Sequence, residues 1–279
     1  MFNHHPVDNR IIEGDCTEVL RTLPAQMVDL VVTDPPYGVR YVDRTGRSIA
    51  NDDDPERILG AFVDVYRVLK PDTFCISFYG WQKVDSFLRA WRRAGFRAVG
   101  HLVWHKSYAS RVSWLAAHHE QAYLLAKGVP PKPARPLKDV QPWMYSGNRR
   151  HPTEKAVAIL KPLIESFSPP TGLVLDPFAG SGSTLEAAAT CGRRYLGVEL
   201  DPAYCALIRQ RLDAVIRPTY ARRDAASCDY RALSRVGGGE YDPHPAGSQA
   251  AVDELLASLR QMNCESAVRE VEQLIRLRH

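Results

Sequence analysis

The tetrapeptide Asp34-Pro35-Pro36-Tyr37 follows an apolar run, Val28 to Val32, that only Asp29 interrupts. Such a run predicts a short buried strand. The prolines lack N–H donors and fix φ, so the strand stops there and the backbone stiffens. Asp34 is then expected at the carboxyl end of a strand, where open α/β sheets hold their ligands. The tip combines an acceptor side chain, rigid backbone carbonyls and an aromatic face. That set suits a flat ring carrying an exocyclic NH2. Asp34 and the Pro35 carbonyl can each accept one amino hydrogen, Pro36 stiffens the turn, and Tyr37 can stack on the ring. A proline-rich turn with a surface tyrosine reads the same way on four residues alone, so the context decides.

A second group begins at Leu173-Val174-Leu175-Asp176, another short buried strand. Pro177-Phe178-Ala179-Gly180-Ser181-Gly182-Ser183-Thr184 follows as a glycine-rich turn into a helix. Glycines there let the backbone come close to a ligand. The dinucleotide fingerprint has a third glycine and a phosphate at the helix start, and that third glycine is absent here. Glu199 ends the next strand and is placed to accept hydrogen bonds from ribose hydroxyls. A ligand with adenine and ribose fits, and a pyrophosphate is not indicated. S-adenosylmethionine (SAM) matches, being adenosine with a methionine tail and no phosphate.

Together these stretches resemble the amino-methyltransferases of DNA, which methylate exocyclic nitrogens using SAM. The resemblance rests on Asp34-Pro35-Pro36-Tyr37, on His151-Pro152-Thr153-Glu154-Lys155, on Asp176 to Thr184, and on Glu199. It runs from about Ile11 to Arg211, with the Asp-Pro-Pro-Tyr block before the glycine block, as in the permuted beta arrangement. It implies a Rossmann-like SAM-dependent methyltransferase fold. Phe178, Ala179, Gly180, Gly182, Thr184 and Leu200 are then expected to shape the SAM pocket, with Asp176 near the methionine end and Glu199 on the ribose. Asp15 and Cys16 are expected near the adenine, and His151, Thr153 and Lys155 near the methionine tail. An Asp before Pro-Pro-Tyr is usual for adenine N6 in this family, and a Ser for cytosine N4. Ala156 departs from the family's pattern, where a proline often follows the lysine.

Alternating elements must position these groups. Arg10 to Cys16 reads as a short strand ending in a turn, followed by a helix from Thr17 to about Leu23. An amphipathic helix over Ile58 to Leu69 is closed by Pro71. A strand over Thr73 to Tyr79 and a helix over Val84 to Ala94, ended by Gly95, come next. Strands at Ala98–Trp104 and Gln121–Ala126, a helix at Ala156–Phe167, a strand at Tyr195–Val198 and a helix from Pro202 to about Val215 complete the pattern. This predicts α/β, a mostly parallel sheet flanked by helices. Residues 1–216 are expected to form the catalytic domain, with about 107–150 as a short target-recognition segment. Residues 217–248 read as a linker, and 249–279 as a C-terminal helical hairpin with stripes at Val252, Leu255, Leu256, Leu259 and at Val268, Val271, Leu274, Ile275.

The chain's 279 residues carry 36 Lys and Arg against 32 Asp and Glu, a net charge of +4 that permits a polyanionic partner without demanding one. The six cysteines are scattered with no CxxC pair, which argues against a metal site or disulfide framework and fits a reducing cytoplasm. No apolar run approaches the ~20 residues of a membrane span, and no signal peptide is visible. Gly38 to Asp54 reads as a loop that could fold over a substrate and carries Arg40 and Arg44. Lys127 to Lys155 reads as an irregular basic stretch with interleaved aromatics, a candidate nucleic-acid surface. Double-stranded DNA is the expected partner, through Arg40, Arg44, Lys106, Arg111, Lys132, Lys138, Arg149 and Arg150. A homodimer through the hairpin, and a cognate restriction endonuclease or none, are left open. Cytosine-N4 methylation of DNA, RNA or protein amide methylation, and a silent SAM- or DNA-binding protein are the rival readings. A nicotinamide dehydrogenase is disfavoured by the missing glycine.

Overall fold

The computed structural model describes residues 8–37, 55–110, 112–144 and 154–227, with side chains in α7 described as far as residue 215. Eight strands form one sheet: β1 (Arg10–Glu13), β2 (Val28–Thr33), β3 (Leu69–Phe78), β4 (Arg97–His105), β5 (His119–Lys127), β6 (Val140–Pro142), β7 (Leu173–Asp176) and β8 (Arg194–Glu199). Their order is β1-β8-β7-β2-β3-β5-β4-β6. The first five in that row are mutually parallel, and β5 runs antiparallel to both β3 and β4. Among the central strands, β2 is buried at every position, as a parallel strand covered on both faces should be. The Asp29 that interrupts its apolar run is itself buried. It accepts hydrogen bonds from Lys70 Nζ at 2.7 Å and from the Leu173 N–H at 2.8 Å, which ties the start of β2 to β3 and β7.

The helices are α1 (Cys16–Thr22), α2 (Pro55–Gly60), α3 (Phe62–Val68), α4 (Val84–Ala94), α5 (Val157–Phe167), α6 (Ser183–Thr190) and α7 (Pro202–Ser227). Side chains of α1, α3 and α4 share one core with alternate residues of the sheet, including Val31, Leu175 and Val198, while α5 packs with α6 and against β2. Aromatic rings fill the first layer, with Phe62, Phe87 and Trp91 buried and in edge or tilted contact.

Four boundaries differ from expectation. The helix predicted over Ile58–Leu69 is two short helices, and Leu69 already belongs to β3. Pro71 lies inside that strand rather than closing a helix. It is tolerated because the register against β2 shifts there and Asp72 takes a φ of 55°, a bulge where no ladder N–H is needed. Within the stretch expected to be irregular, Val140–Pro142 forms β6 along β4. The last helix continues to Ser227, through the start of the expected linker. The chain divides into two units, Met1–Asp213 and Ala214–His279, and the first holds the whole sheet. The loop over Gly38–Asp54 and the hairpin at 249–279 lie outside the described residues. Among the described residues no helix is long and apolar enough to cross a membrane.

Candidate active site

Asp34 follows β2, Asp176 ends β7 and Glu199 ends β8. These strands are adjacent and parallel, so the three acids line one edge of the sheet in the order Glu199, Asp176, Asp34. With strands ~4.8 Å apart, the row spans roughly 10 Å. Sequence alone placed each acid at a strand end; the sheet order places them side by side.

Asp34 is held on both oxygens. The Tyr37 hydroxyl donates to Oδ1 at 2.5 Å, and the Lys155 ammonium donates to Oδ2. Lys155 is buried, with Nζ 4.9 Å from the centre of the Phe78 ring. Burial pushes its pKa down, but the carboxylates of Asp34, Glu120 and Asp176 outweigh that and raise it, so the side chain stays an ammonium. Its place is therefore on Asp34, a contact the sequence did not suggest. The Tyr37 ring is half-buried, edge-on to Phe87 at 6.2 Å. Gly80 makes room for it, since a Cβ there would lie 3.1 Å from Tyr37 Cβ and Cγ.

The glycine turn uses left-handed backbone, with φ of 52° at Gly180 and 82° at Gly182. The Gly180 N–H donates to Glu199 Oε2 at 2.7 Å, and the Asp201 N–H donates to Oε1 at 2.9 Å. Burial raises the Glu199 pKa against these donors. A carboxylate has about four acceptor sites, so both oxygens can still accept ribose hydroxyls. A Cβ on Gly182 would stand 2.9 Å from Ile208 Cγ2. Gly182→Ala is accordingly expected to cost ~1–2 kcal/mol for the left-handed backbone and a further ~1–3 kcal/mol for overpacking, read as a lower urea midpoint.

Asp176 is buried, and its Oδ1 accepts the Phe178 N–H at 3.1 Å. Burial pushes its pKa up to about 7, although the Thr184 hydroxyl and the Phe178 N–H favour the carboxylate. Thr184 and Ala179 are buried, Phe178 is half-buried and Leu200 is exposed. Next to them, the Ser183 hydroxyl is buried with no hydrogen-bond partner among the described residues. That orphaned donor at the glycine turn, beside an acceptor with open lone pairs, fits a polar adenosine-type ligand.

Asp15 caps α1, accepting from the Thr17 N–H at 2.8 Å and from Arg57 Nη2 at 2.6 Å. Burial raises its pKa, but the Thr17 hydroxyl and N–H and the Arg57 charge lower it overall. Burial pushes the Cys16 thiol up to about 12. Both residues lie beside Glu199, because the Gly14 N–H donates to the Glu199 carbonyl at 2.9 Å. The Cys16 side chain is taken up by the core, and the half-buried Asp15 carboxylate is held by the cap and by Arg57.

Arg211 is the residue that sequence reading missed. It lies on the buried face of α7 with Cys205, Ile208 and Leu212. Its guanidinium pairs with Glu154 at 3.1 Å and with Glu186, and donates to the Ser181 carbonyl at 2.9 Å. Glu154 is thus pinned to the glycine turn while its neighbour Lys155 is pinned to Asp34. The signal was available: an arginine on an otherwise apolar helical stripe.

The expected DNA contacts divide. Lys106 is not a surface cation. It is 4% exposed, donates to Glu120 Oε1 at 2.5 Å and stands 5.1 Å from the centre of the Trp143 ring. Burial of an ammonium demands such a partner, and β5 supplies it across the ladder. Lys132 and Lys138 are exposed. Arg40, Arg44, Arg111, Arg149, Arg150, His151 and Thr153 lie outside the described residues.

A family model described as DNA methylase matches residues 28–210. A protein of Escherichia coli (strain K12) named as a methylase, YubD, is 54% identical over 209 residues, covering 75% of this chain and 92% of that one. The DNA adenine methyltransferase YhdJ of the same strain is 27% identical over 246 residues, covering 73% and 82%. A solved structure described as a DNA modification methylase of Thermus thermophilus, complexed with S-adenosyl-L-methionine, has a TM-score of 0.56 at 26% identity and covers 75% of this chain and 96% of that one. The cytosine-N4-specific PvuII DNA methyltransferase has a TM-score of 0.62 at 20% identity, covering 73% and 86%, a likeness of fold.

Proposed function

This chain belongs to the N6/N4 DNA methylase family, and on that premise we propose that it transfers the methyl group of SAM to the N6 amino group of a flipped-out adenine in double-stranded DNA. The observation that carries the reading is the Asp34 carboxylate, held in place by a buried lysine, in one row with Asp176 and Glu199. An Asp before Pro-Pro-Tyr and the likeness to an adenine methyltransferase support adenine over cytosine.

SAM supplies an electrophilic methyl group on its sulfonium. Glu199 would hold the ribose hydroxyls, the glycine turn would admit the adenosine closely, and Asp176 would lie near the methionine end. The target atom is buried in a duplex, so the base must leave the stack, at a cost of about a few kcal/mol. An amino nitrogen is a weak nucleophile because its lone pair is delocalised into the ring. Hydrogen bonds from its two N–H groups to Asp34 and the Pro35 carbonyl localise that pair. Lys155 fixes the carboxylate through Oδ2 and leaves Oδ1 as the working acceptor. The Tyr37 hydroxyl covers Oδ1 and gives way when the ring turns to stack on the base. Positioning and preorganised charge carry the rate, and no covalent enzyme intermediate is required.

Stacking on an aromatic side chain is worth ~1–3 kcal/mol per base. Tyr37→Ala is therefore expected to lower kcat/KM on DNA by roughly 10- to 100-fold, whereas Tyr37→Phe, which keeps the ring, stays within about threefold. Steady-state transfer of labelled methyl groups checks both variants. The function itself is tested by incubating the protein with SAM and unmethylated genomic DNA, digesting to nucleosides and measuring by mass spectrometry. N6-methyladenine is the expected product. N4-methylcytosine would overturn the choice of base, and no methylated nucleoside would overturn the reading.

A further inference from the structure

The connection between β4 and β5 is a hairpin with an apolar tip. The Lys106 N–H donates to the His118 carbonyl at 2.7 Å, the Ser110 N–H to the Ala117 carbonyl at 2.9 Å, and the Ser113 N–H to the Leu115 carbonyl at 3.1 Å. Val112 and Ala116 bridge just below the turn. The root is anchored by the buried Lys106–Glu120 pair and by the Trp143 ring beneath Lys106. At the tip, Trp114 is 99% exposed, with Leu115 at 82% and Val112 at 74%. Single exposed apolar residues are ordinary, but a cluster of this kind marks an interaction site.

The sheet decides which side the hairpin stands on. Strand β5 runs antiparallel to β3, so its start at His119 lies with the carboxyl ends of β2 and β3. Strand β4 ends at the same edge, paired His105 to His119. The hairpin therefore rises from the edge that carries Asp34. At about 3.3 Å per residue, its tip stands up to roughly 15 Å beyond His119.

We infer that Trp114 enters the base stack of the DNA duplex and fills the place that the target base vacates. This rests on the DNA-methylation reading above. Flipping leaves a gap in the stack, and a large planar side chain at the end of a stiff arm is the group that can occupy it. The arms suit what lies on either side of such a gap: Ser107 and Ser113 carry exposed hydroxyls that can donate to phosphates, while the Ser110 hydroxyl donates to the Ala117 carbonyl at 3.1 Å and ties the two arms together. A second copy of the chain is a poorer occupant. Trp114, Leu115 and Val112 are a tip of three residues, where each side of a stable interface commonly uses roughly 20–30.

The test uses the full chain, labelled SAM and a duplex with one target site mapped on genomic DNA. A second duplex carries a mismatch opposite the same target base. Trp114→Ala is expected to lose about 10- to 100-fold in transfer on the paired duplex. It should stay within about threefold of the unmutated protein on the mismatched one, where unpairing is already largely done. Trp114→Phe should restore most of the loss. Equal rates for the variant and the unmutated protein on paired DNA overturn the inference. So does an equal loss on both duplexes, which would mark general DNA binding. A dimer in sedimentation that Trp114→Ala dissociates would make the tip an interface between copies, and overturns it too. If the unmutated protein methylates neither duplex, the DNA reading itself fails and this inference falls with it. The unmutated lane tells that case from the others.

Discussion

Asp34→Asn is expected to lower methyl transfer by about 100- to 1,000-fold, the usual loss when one preorganised polar contact to the reacting group is removed. The amide keeps the size of the carboxylate and one acceptor oxygen, but not the charge that localises the amino lone pair. SAM affinity should stay within about threefold, because Glu199 and the glycine turn are untouched. Asp34→Ala abolishes transfer for the same reason and adds a structural defect. It leaves the Lys155 ammonium buried without its nearest carboxylate, and breaking a buried pair from one side costs ~3–5 kcal/mol. The double variant Asp34→Ala, Lys155→Met removes both charges. It should recover much of the stability and none of the activity. Chemical unfolding and single-turnover transfer on the same preparations separate the two effects. Full methylation by Asp34→Asn would sink the assignment of this carboxylate.

SAM binding is expected to strengthen as pH rises through about 7, where Asp176 ionises. Its carboxyl titrates far above the ordinary 3.8 because burial disfavours the charge, with Asp34 adding repulsion and Lys155 standing close enough to oppose it. Below pH 3.8 the folded and unfolded chains both hold the proton. Between 3.8 and about 7 the folded protein keeps a proton that the unfolded chain releases, so this group's contribution to stability falls as pH rises. Above about 7 the penalty is constant. A cationic methionine end beside Asp176 reverses the balance, since it favours the carboxylate. Affinity should therefore fall by up to about tenfold per pH unit below that point. Calorimetry in two buffers of different ionisation enthalpy should register proton release near neutral pH. Asp176→Asn is expected to flatten this profile and weaken SAM roughly 10- to 100-fold. The same variant should be more stable than the unmutated protein at about pH 8 in the absence of SAM. A pH-independent affinity in the unmutated protein would rule out Asp176 as the group involved.

Much of the fold was legible because its signals are local. The short apolar runs of β1, β2, β7 and β8 need no partner to be read. The left-handed cap at Gly95, with φ of 104°, follows from residue type as well. The misplaced boundaries arise where a neighbouring strand overrides local preference. Leu69 enters β3 because Val28 of β2 pairs with it, and Pro71 is carried in the bulge that follows, before Phe74 pairs with Leu30. Val140–Pro142 becomes a strand because the β4 edge is there to receive it.

The site divides the same way. The sequence by itself determined the chemistry of the three blocks: an acid before a rigid Pro-Pro turn, glycines at a strand–helix junction, and an acid ending the next strand. Their residue types and spacing are short-range properties, and each block keeps its character wherever the chain puts it. Only the tertiary structure decided which side chains meet. It placed Lys155 on Asp34 and Arg211 on Glu154 and Ser181. It took Lys106 out of the surface by bringing Glu120 of β5 to it diagonally across the ladder, and left Trp114 bare on a hairpin above the edge that carries Asp34. A charge in a sequence has no sign of burial attached, and its partner is chosen by strand order and register, which pair residues far apart in the chain.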